Sequence, residues 1–581
     1  MFRAQIASVM AASAIVIAGV PASGQTAAGS KVISDQILPQ ETFLYVSCPN
    51  VSVVKQQFGD SSMGKLWNDP ALDDFKAEVM SAFESELDEG LVQFQEALGL
   101  TLGEFLEIPS GEVSMAISGG PGNTLGALVF LDFGDNEARV QDLLQRARAA
   151  LGQAQRLSEE EESFDDTELT MFRIQYPQGP PTPLAKEFGW FVKDQRLVIS
   201  NRLELLQSVL TNWDGTGKSF MDNEAYAYIL GKCQSGDRTA MSTFFFDPVG
   251  LFTKLVQTGS LGQEASMGAG MALGFLPTLG ITQLKAMGGV TEAGTGDFEA
   301  VSRSVFYTDQ PPMGLMRVMQ LDQIEQTPPD WVKQDVHAYA AVKWKIQDAF
   351  EAIESLVDMF SGAGAFADRL DQLADRPPGI HPKHDIVDLL TGEIRLVTAA
   401  GSGGGYAGDQ MLVALGVRDE QAASDLLTKI AEPAGMETRD FRGATIYEFN
   451  GPAPGQSIGV TVSENRLIIC IGGALLEQVL RNDSDVKPLS QSDEYRKVAQ
   501  HFPPTALSVQ FSRPAEQYRS IYEMLRSGEA AEQFPGNPEI FETIDFTTLP
   551  PFDVIAKYIQ PTGGYTLKDD NGVFMEAFQL K

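Results

Sequence analysis

Cysteine is scarce in this chain: Cys48, Cys233 and Cys470 are its only thiols among 581 residues. An odd count allows one disulfide at most, so cross-links do not define the fold. Cys48 and Cys233 fall in one half and are free to pair, although no spacing demands it. Cys470 sits in the apolar run RLIICIG, where a buried, inert thiol is expected. Basic residues are also in deficit, with 43 Lys plus Arg against 78 Asp plus Glu and a net charge of −35. Self-repulsion of that sign favours solubility and makes nucleic acid and anionic membrane surfaces poor partners. Long apolar runs are missing beyond the first 24 residues. The nearest is ASMGAGMALGFLPTLGI, Ala265 to Ile281, which stops at 17 residues and is broken by Pro277. A membrane helix needs about 20, so no transmembrane helix is expected after removal of the leader. This run reads as a soluble helix packed inside the fold. Gly270 and Gly274 keep a small-xxx-small spacing, which leaves a lipid- or partner-facing surface as the lesser reading.

The first residues, MFRAQIASVMAASAIVIAGVPASGQ, have the layout of an export signal. Arg3 supplies the positive start, Ile6 to Val20 the apolar stretch, and Ala22-Ser23-Gly24 the small-residue cleavage site. Cleavage after Gly24 is expected, without lipid attachment, giving a periplasmic or extracellular protein. Hydrophobic residues make up 43% of the chain, enough for large cores, and its length predicts at least two domains.

The chain repeats itself. FGWFVKDQRLVISNRLELLQSVL (Phe188 to Leu210) and IGVTVSENRLIICIGGALLEQVL (Ile458 to Leu480) share 9 of 23 positions at a shift of 270. The echo continues in order through GEVSMAI and GEIRLVT, LVFLDFGD and LVALGVRD, FFFDP and VQFSRP, MGGVT and TGGYT. Shifts between 266 and 284 are what loops that gain and lose residues produce. The expected organisation is a signal peptide over 1–24, a linker over 25–37, one α+β repeat over 38–321, a proline-containing linker over 322–335 and a second α+β repeat over 336–581. Polar turn residues in KDQR and SENR sit between β-rich runs and predict hairpins. Asn201, with Glu204 three residues on, predicts a capping box for the helix that follows. The fold class is therefore α+β, two tandem homologous domains, each an antiparallel sheet with helices packed on it. Whether the two sheets merge is left open.

Patterns that suggest chemistry fail when each copy is compared with the other. GQSIG, Gly455 to Gly459, matches a nucleophile motif, but Ser457 enters a strand after a loop and its counterpart is Glu187. NWDGTGKS, Asn212 to Ser219, follows a helix and lacks the first glycine of a phosphate-binding loop, so it reads as a helix-ending turn. SEEEESFDD, Ser158 to Asp166, lacks the alternation of a calcium loop and reads as a solvated loop. GSGGGYAG, Gly401 to Gly408, reads as a flexible hairpin tip. HPKHD offers His381, His384 and Asp385 as three zinc donors. Pro382 disturbs any helix there and the other copy has LTLGE, so a polar loop capped into a helix by Asp385 is the plainer reading.

LPQETFLYVSCPNVSVVKQQFGDSSMGKLWNDPALDDF, GEFLEIPSGEVSMAI and PPDWVKQDVHAYAAVKW resemble a family of uncharacterised exported bacterial proteins of the planctomycete type, over nearly the whole mature chain. The resemblance implies export and a tandem architecture and supplies no catalytic residue. The expectation is an exported, acidic, non-catalytic protein, an extracytoplasmic binding or envelope-associated scaffold. No catalytic, cofactor-binding or metal residue and no cofactor is assigned. Its partner is an unknown protein or an apolar ligand, the latter in a groove lined by Met267, Met271 and Phe275. The alternative is a metal-dependent hydrolase with a site near His381, His384 and Asp385.

Overall fold

A computed structural model describes residues 32–85, 107–152, 157–175, 186–236, 238–261, 263–401, 410–451, 457–481, 485–530, 541 and 544–581. Residues 1–24, expected to be a signal peptide, and the glycine-rich run 402–408 lie outside these residues. Runs of strands are separated by helices along the chain, and every strand pairing among the described residues is antiparallel, so the α+β expectation holds.

The first half contains β1 (Thr42–Cys48), β2 (Val113–Gly120), β3 (Thr124–Asp132), β4 (Leu157–Phe164) and β5 (Thr167–Ile174). It continues with β6 (Glu187–Lys193), β7 (Arg196–Ser200), β8 (Ala240–Phe246), β9 (Leu284–Ala293) and β10 (Phe298–Thr308). A two-residue strand, β11 (Leu321–Asp322), pairs with the end of β12 (Ala338–Trp344). Then come β13 (Leu390–Ala399), β14 (Gln410–Val417), β15 (Glu437–Phe441), β16 (Ala444–Asn450) and β17 (Ser457–Ser463). The last four are β18 (Arg466–Ile471), β19 (Ser508–Ser512), β20 (Thr562–Asp569) and β21 (Gly572–Leu580).

Strand pairing runs β4-β5-β6-β7-β3-β2-β1-β8-β9-β10 in the first half. In the second half it runs β15-β16-β17-β18-β14-β13-β12-β19-β20-β21. The two orders match strand for strand. β10 then pairs with β21, so the halves share one sheet. Tight turns recur at matching places. Asp194-Gln195 and Glu464-Asn465 both adopt positive φ between β6 and β7 and between β17 and β18, the backbone hand that two-residue hairpins require.

Alternation along the strands builds the core. Tyr45, Ala116, Phe130, Val198, Phe245 and Val290 point to one face, where Leu206 and Val209 of the helix Leu203–Thr211 and Tyr226 and Ile229 of the helix Glu224–Cys233 cover them. In the second half Tyr339, Val397, Leu412, Ile468 and Phe511 meet Leu476 and Val479 of the helix Gly473–Arg481 and Tyr495 and Val498 of the helix Asp493–Ala499. On β10, Val301 belongs to the second core and Val305 to the first. Residues an even number apart on a strand share a face, so both cores lie on the same side of the sheet.

Several local expectations are corrected. Residues 158–164 form most of β4, an edge strand whose glutamates pair with cations: Arg148 with Glu159 and Glu161, Arg173 with Glu160 and Glu162. Neutralisation by these arginines lets an acidic run adopt a strand. Asn201 forms no capping box; its amide oxygen accepts from the Ala127 N–H, and the Leu203 N–H goes to Glu187. The ends of both segments read as linkers are built into the core, with Ser34, Asp35 and Ile37 buried in the first half and Trp331 and Val332 in the second. Nor is the helix Gln263–Phe275 packed inside: Met267 is 74% and Met271 67% exposed, and Phe275 meets Phe360 edge-on. All three cysteines are free, and burial pushes the thiols up, Cys48 to about 11 and Cys233 and Cys470 to about 12.

Candidate functional site

The sequence-stated candidates separate on inspection of their contacts. At HPKHD the His381 Nδ1 accepts from the Lys383 and His384 N–H groups, and its Nε2 lies 3.2 Å from Asp371. Asp385 accepts from the His381 N–H at 2.6 Å, and His384 Nδ1 faces Asp388 at 3.2 Å. His381, rather than Asp385, is thus the capping residue, and the donors are turned toward the backbone and separate carboxylates. Among the described residues no group of three His, Cys, Asp or Glu side chains is placed to hold a metal ion. Ser457 is exposed at the start of β17, with no turn into a helix. Gly215 adopts positive φ and Gly217 donates to Asn212, the helix-ending turn that was expected.

A pocket of about 610 Å³ opens instead in the second half, over the ends of β12, β13, β14 and β18. Register explains its lining. Lys343 stands opposite Glu393, Arg395 opposite both Ala341 and Ala414, and Gly416 opposite Arg466, all on one face. Trp331, brought in by the Pro328-Pro329 joint, forms a wall, and Asp322, Arg418 and Glu464 stand at the rim. Four cations and three carboxylates therefore line it, an excess of one positive charge in a chain of net −35.

These cations are only partly matched. Lys343 lies 3.4 Å from Asp322. Arg395 donates to the Tyr339 hydroxyl at 2.7 Å and reaches Glu393 only at 3.8 Å. Arg466 pairs with Glu464 and stacks on Trp331, 5.0 Å from the ring centroid, while its Nε is buried with no acceptor among the described residues. Burial, with the charge of Arg395 added, holds the Arg466 guanidinium below its ordinary pKa despite the nearby Glu464.

The matching place in the first half is closed. Arg196 corresponds to Arg466, Glu112 to Glu393, Ser114 to Arg395, and Asp132 and Gly134 to Gly416 and Arg418. The entering segments also correspond, since the Phe220 N–H donates to the Leu38 carbonyl as the Leu489 N–H does to Val332. Arg196 has Asp132 within 3.9 Å. Ser34 plugs the space: its N–H and hydroxyl both donate to Glu112, which also accepts from Ser47 at 3.3 Å, and Ser114 donates to Ser34. In the second half prolines stand where Ser34 and Asp35 would be, Gly416 removes the carboxylate that faced the arginine, and Arg395 and Arg418 add charge.

Sequence reasoning missed this pocket, although its signal was present. Arg196 and Arg466 are identical between the copies and so mark the place, but the positions where the copies differ carry the chemistry. Reading GEVSMAI against GEIRLVT and LVFLDFGD against LVALGVRD for their differences exposes Arg395, Gly416 and Arg418. No family model, no curated protein and no solved structure matches the chain.

Proposed function

We propose that this is an exported, non-catalytic binding protein of the extracytoplasmic space, built from two homologous domains over 38–321 and 336–581 and belonging to the uncharacterised exported family it resembles. One observation carries the reading. A single position in the repeated fold is plugged by Ser34 on Glu112 in one copy and open, lined by arginines, in the other. Duplication that keeps the packing and opens this position leaves one copy as support and the other as receptor. The known pattern of such sites, a concave pocket with a few convergent polar groups, fits the second copy.

A fragment screen on the mature chain, read by crystallography, tests this. Fragments are expected among Trp331, Arg395 and Arg466 and absent from the Ser34–Glu112 position; a screen that leaves the pocket empty overturns it. Export is tested by N-terminal sequencing of the secreted protein, which should begin at Gln25. A second reading rests on Met267, Met271 and Phe275, whose exposure favours this face as the place for a protein partner or an apolar ligand. Mass spectrometry of the purified native protein should then detect a co-purifying apolar molecule, and a clean apo spectrum counts against that ligand.

A further inference from the structure

The ligand class can be narrowed, on the footing that the second-half pocket is a binding site. We infer that it takes a small monocarboxylate, held by Arg466 and Arg395 with Arg418 at the mouth. Three observations converge. The Arg466 Nε is buried with no acceptor among the described residues, as is its counterpart Arg196 Nε; what differs is the residue opposite, Gly416, where the first copy places the carboxylate of Asp132 3.9 Å from its arginine. An oxyanion in the pocket supplies the negative charge that the glycine removed, and arginine's planar fork suits a carboxylate. Arg395 approaches closely enough for its charge to be felt at Arg466, so the pair repels until an anion lies between. Arg418 forms no ion pair with any described residue, which leaves a cation at the entrance.

Charge count selects among anions. The carboxylates Asp322, Glu393 and Glu464 leave the lining at one net positive charge. A single negative charge neutralises the lining, whereas a phosphate dianion would face those three carboxylates and Glu420, which accepts from the Asn465 N–H of the lining. A neutral molecule, even one whose carbonyl accepts from Arg466, leaves the charge of the arginine pair unmatched.

Calorimetric titration of the mature full-length chain at low ionic strength tests this with benzoate, its neutral isostere benzamide, and inorganic phosphate. Benzoate is expected to bind saturably and at least tenfold more tightly than the other two. Arg466→Gln and Arg395→Gln should each weaken benzoate at least tenfold, and the exposed Arg418→Gln two- to fivefold. Melting curves establish that each variant is folded; Arg418→Gln, on the surface, keeps the test available should the buried variants unfold. Benzamide or phosphate binding as tightly as benzoate overturns the ligand class and leaves the binding reading standing. Occupancy by neither charged nor neutral probes, in titration or in the fragment screen, overturns both.

Discussion

Asp35 shows what one residue of an entering segment does to a protein. It is buried beside Tyr226, whose hydroxyl donates to one of its oxygens at 2.9 Å, while the other oxygen has no partner among the described residues. Burial, with the nearby Glu112 adding to it, pushes its carboxyl up to about 6 from an ordinary value of 3.8. A carboxyl whose folded pKa lies above the unfolded one binds its proton more tightly when folded. Its stability contribution is therefore best below pH 4 and is lost as pH rises through 6. A shift of that size corresponds to about 3 kcal/mol of pH-dependent destabilisation. Asp35→Asn removes the titration and keeps an oxygen for Tyr226. Relative to the wild type, the variant should gain about 2–2.5 kcal/mol of stability between pH 4 and pH 8, read from denaturant midpoints at both values. Parallel pH profiles for the two proteins would refute this account of Asp35. In the second copy Pro329 stands at that position, so the burial problem arises once.

At the scale of the element, the helix Gln263–Phe275 separates what composition conveys from what it does not. Its apolar content is read directly from the sequence; its burial is not, because Gly and Ala spread over every face and give no stripe to orient it. Met271→Ala should change stability by less than about 0.5 kcal/mol, the range for exposed positions, where a core methionine loses about 2–5. Thermal or denaturant unfolding of that single variant decides between the two. The hairpins, by contrast, were legible, since two polar residues between β-rich runs leave few backbone solutions. β4 was hidden by its charges, as its strand character depends on Arg148 and Arg173, one on a neighbouring helix and one across the ladder. The candidate pocket was hidden in another way. Its residues lie far apart in sequence and come together only through register, Lys343 beside Glu393 and Gly416 beside Arg466. A repeat search looks for identity, and the pocket consists of differences.

For the whole molecule, the seam between β10 and β21 is the decisive feature. Counting from the matching glycines Gly288-Gly289 and Gly563-Gly564, Arg303 and Glu576 occupy equivalent positions in their hairpins. At the seam these two residues stand directly opposite each other, so the approximate two-fold of the sheet passes between them. Arg303 donates to Glu576 at 2.6 Å and to the fully buried Glu292 at 2.8 Å, and Tyr565 donates to Glu576 at 2.9 Å. A pairing of two identical halves in this register would set arginine against arginine or glutamate against glutamate. Opposite charges at one equivalent position thus specify a mixed seam and disfavour either half pairing with itself. A one-residue slip would turn every side chain of the edge strand to the other face and break the same contacts. If residues 32–321 and 322–581 are produced as separate chains and mixed, they should co-elute as a one-to-one complex on size exclusion. Glu576→Arg in the second fragment leaves Arg303 facing a like charge in a largely buried site, a loss of about 2–5 kcal/mol. Its dissociation constant for the first fragment should rise by about 30-fold or more, measured by titration of one fragment into the other. Equal affinity of the Glu576→Arg fragment, or self-pairing of either fragment at the same strength as the mixture, would mean that the backbone ladder alone joins the halves and that the charge pair has no part in choosing the partner.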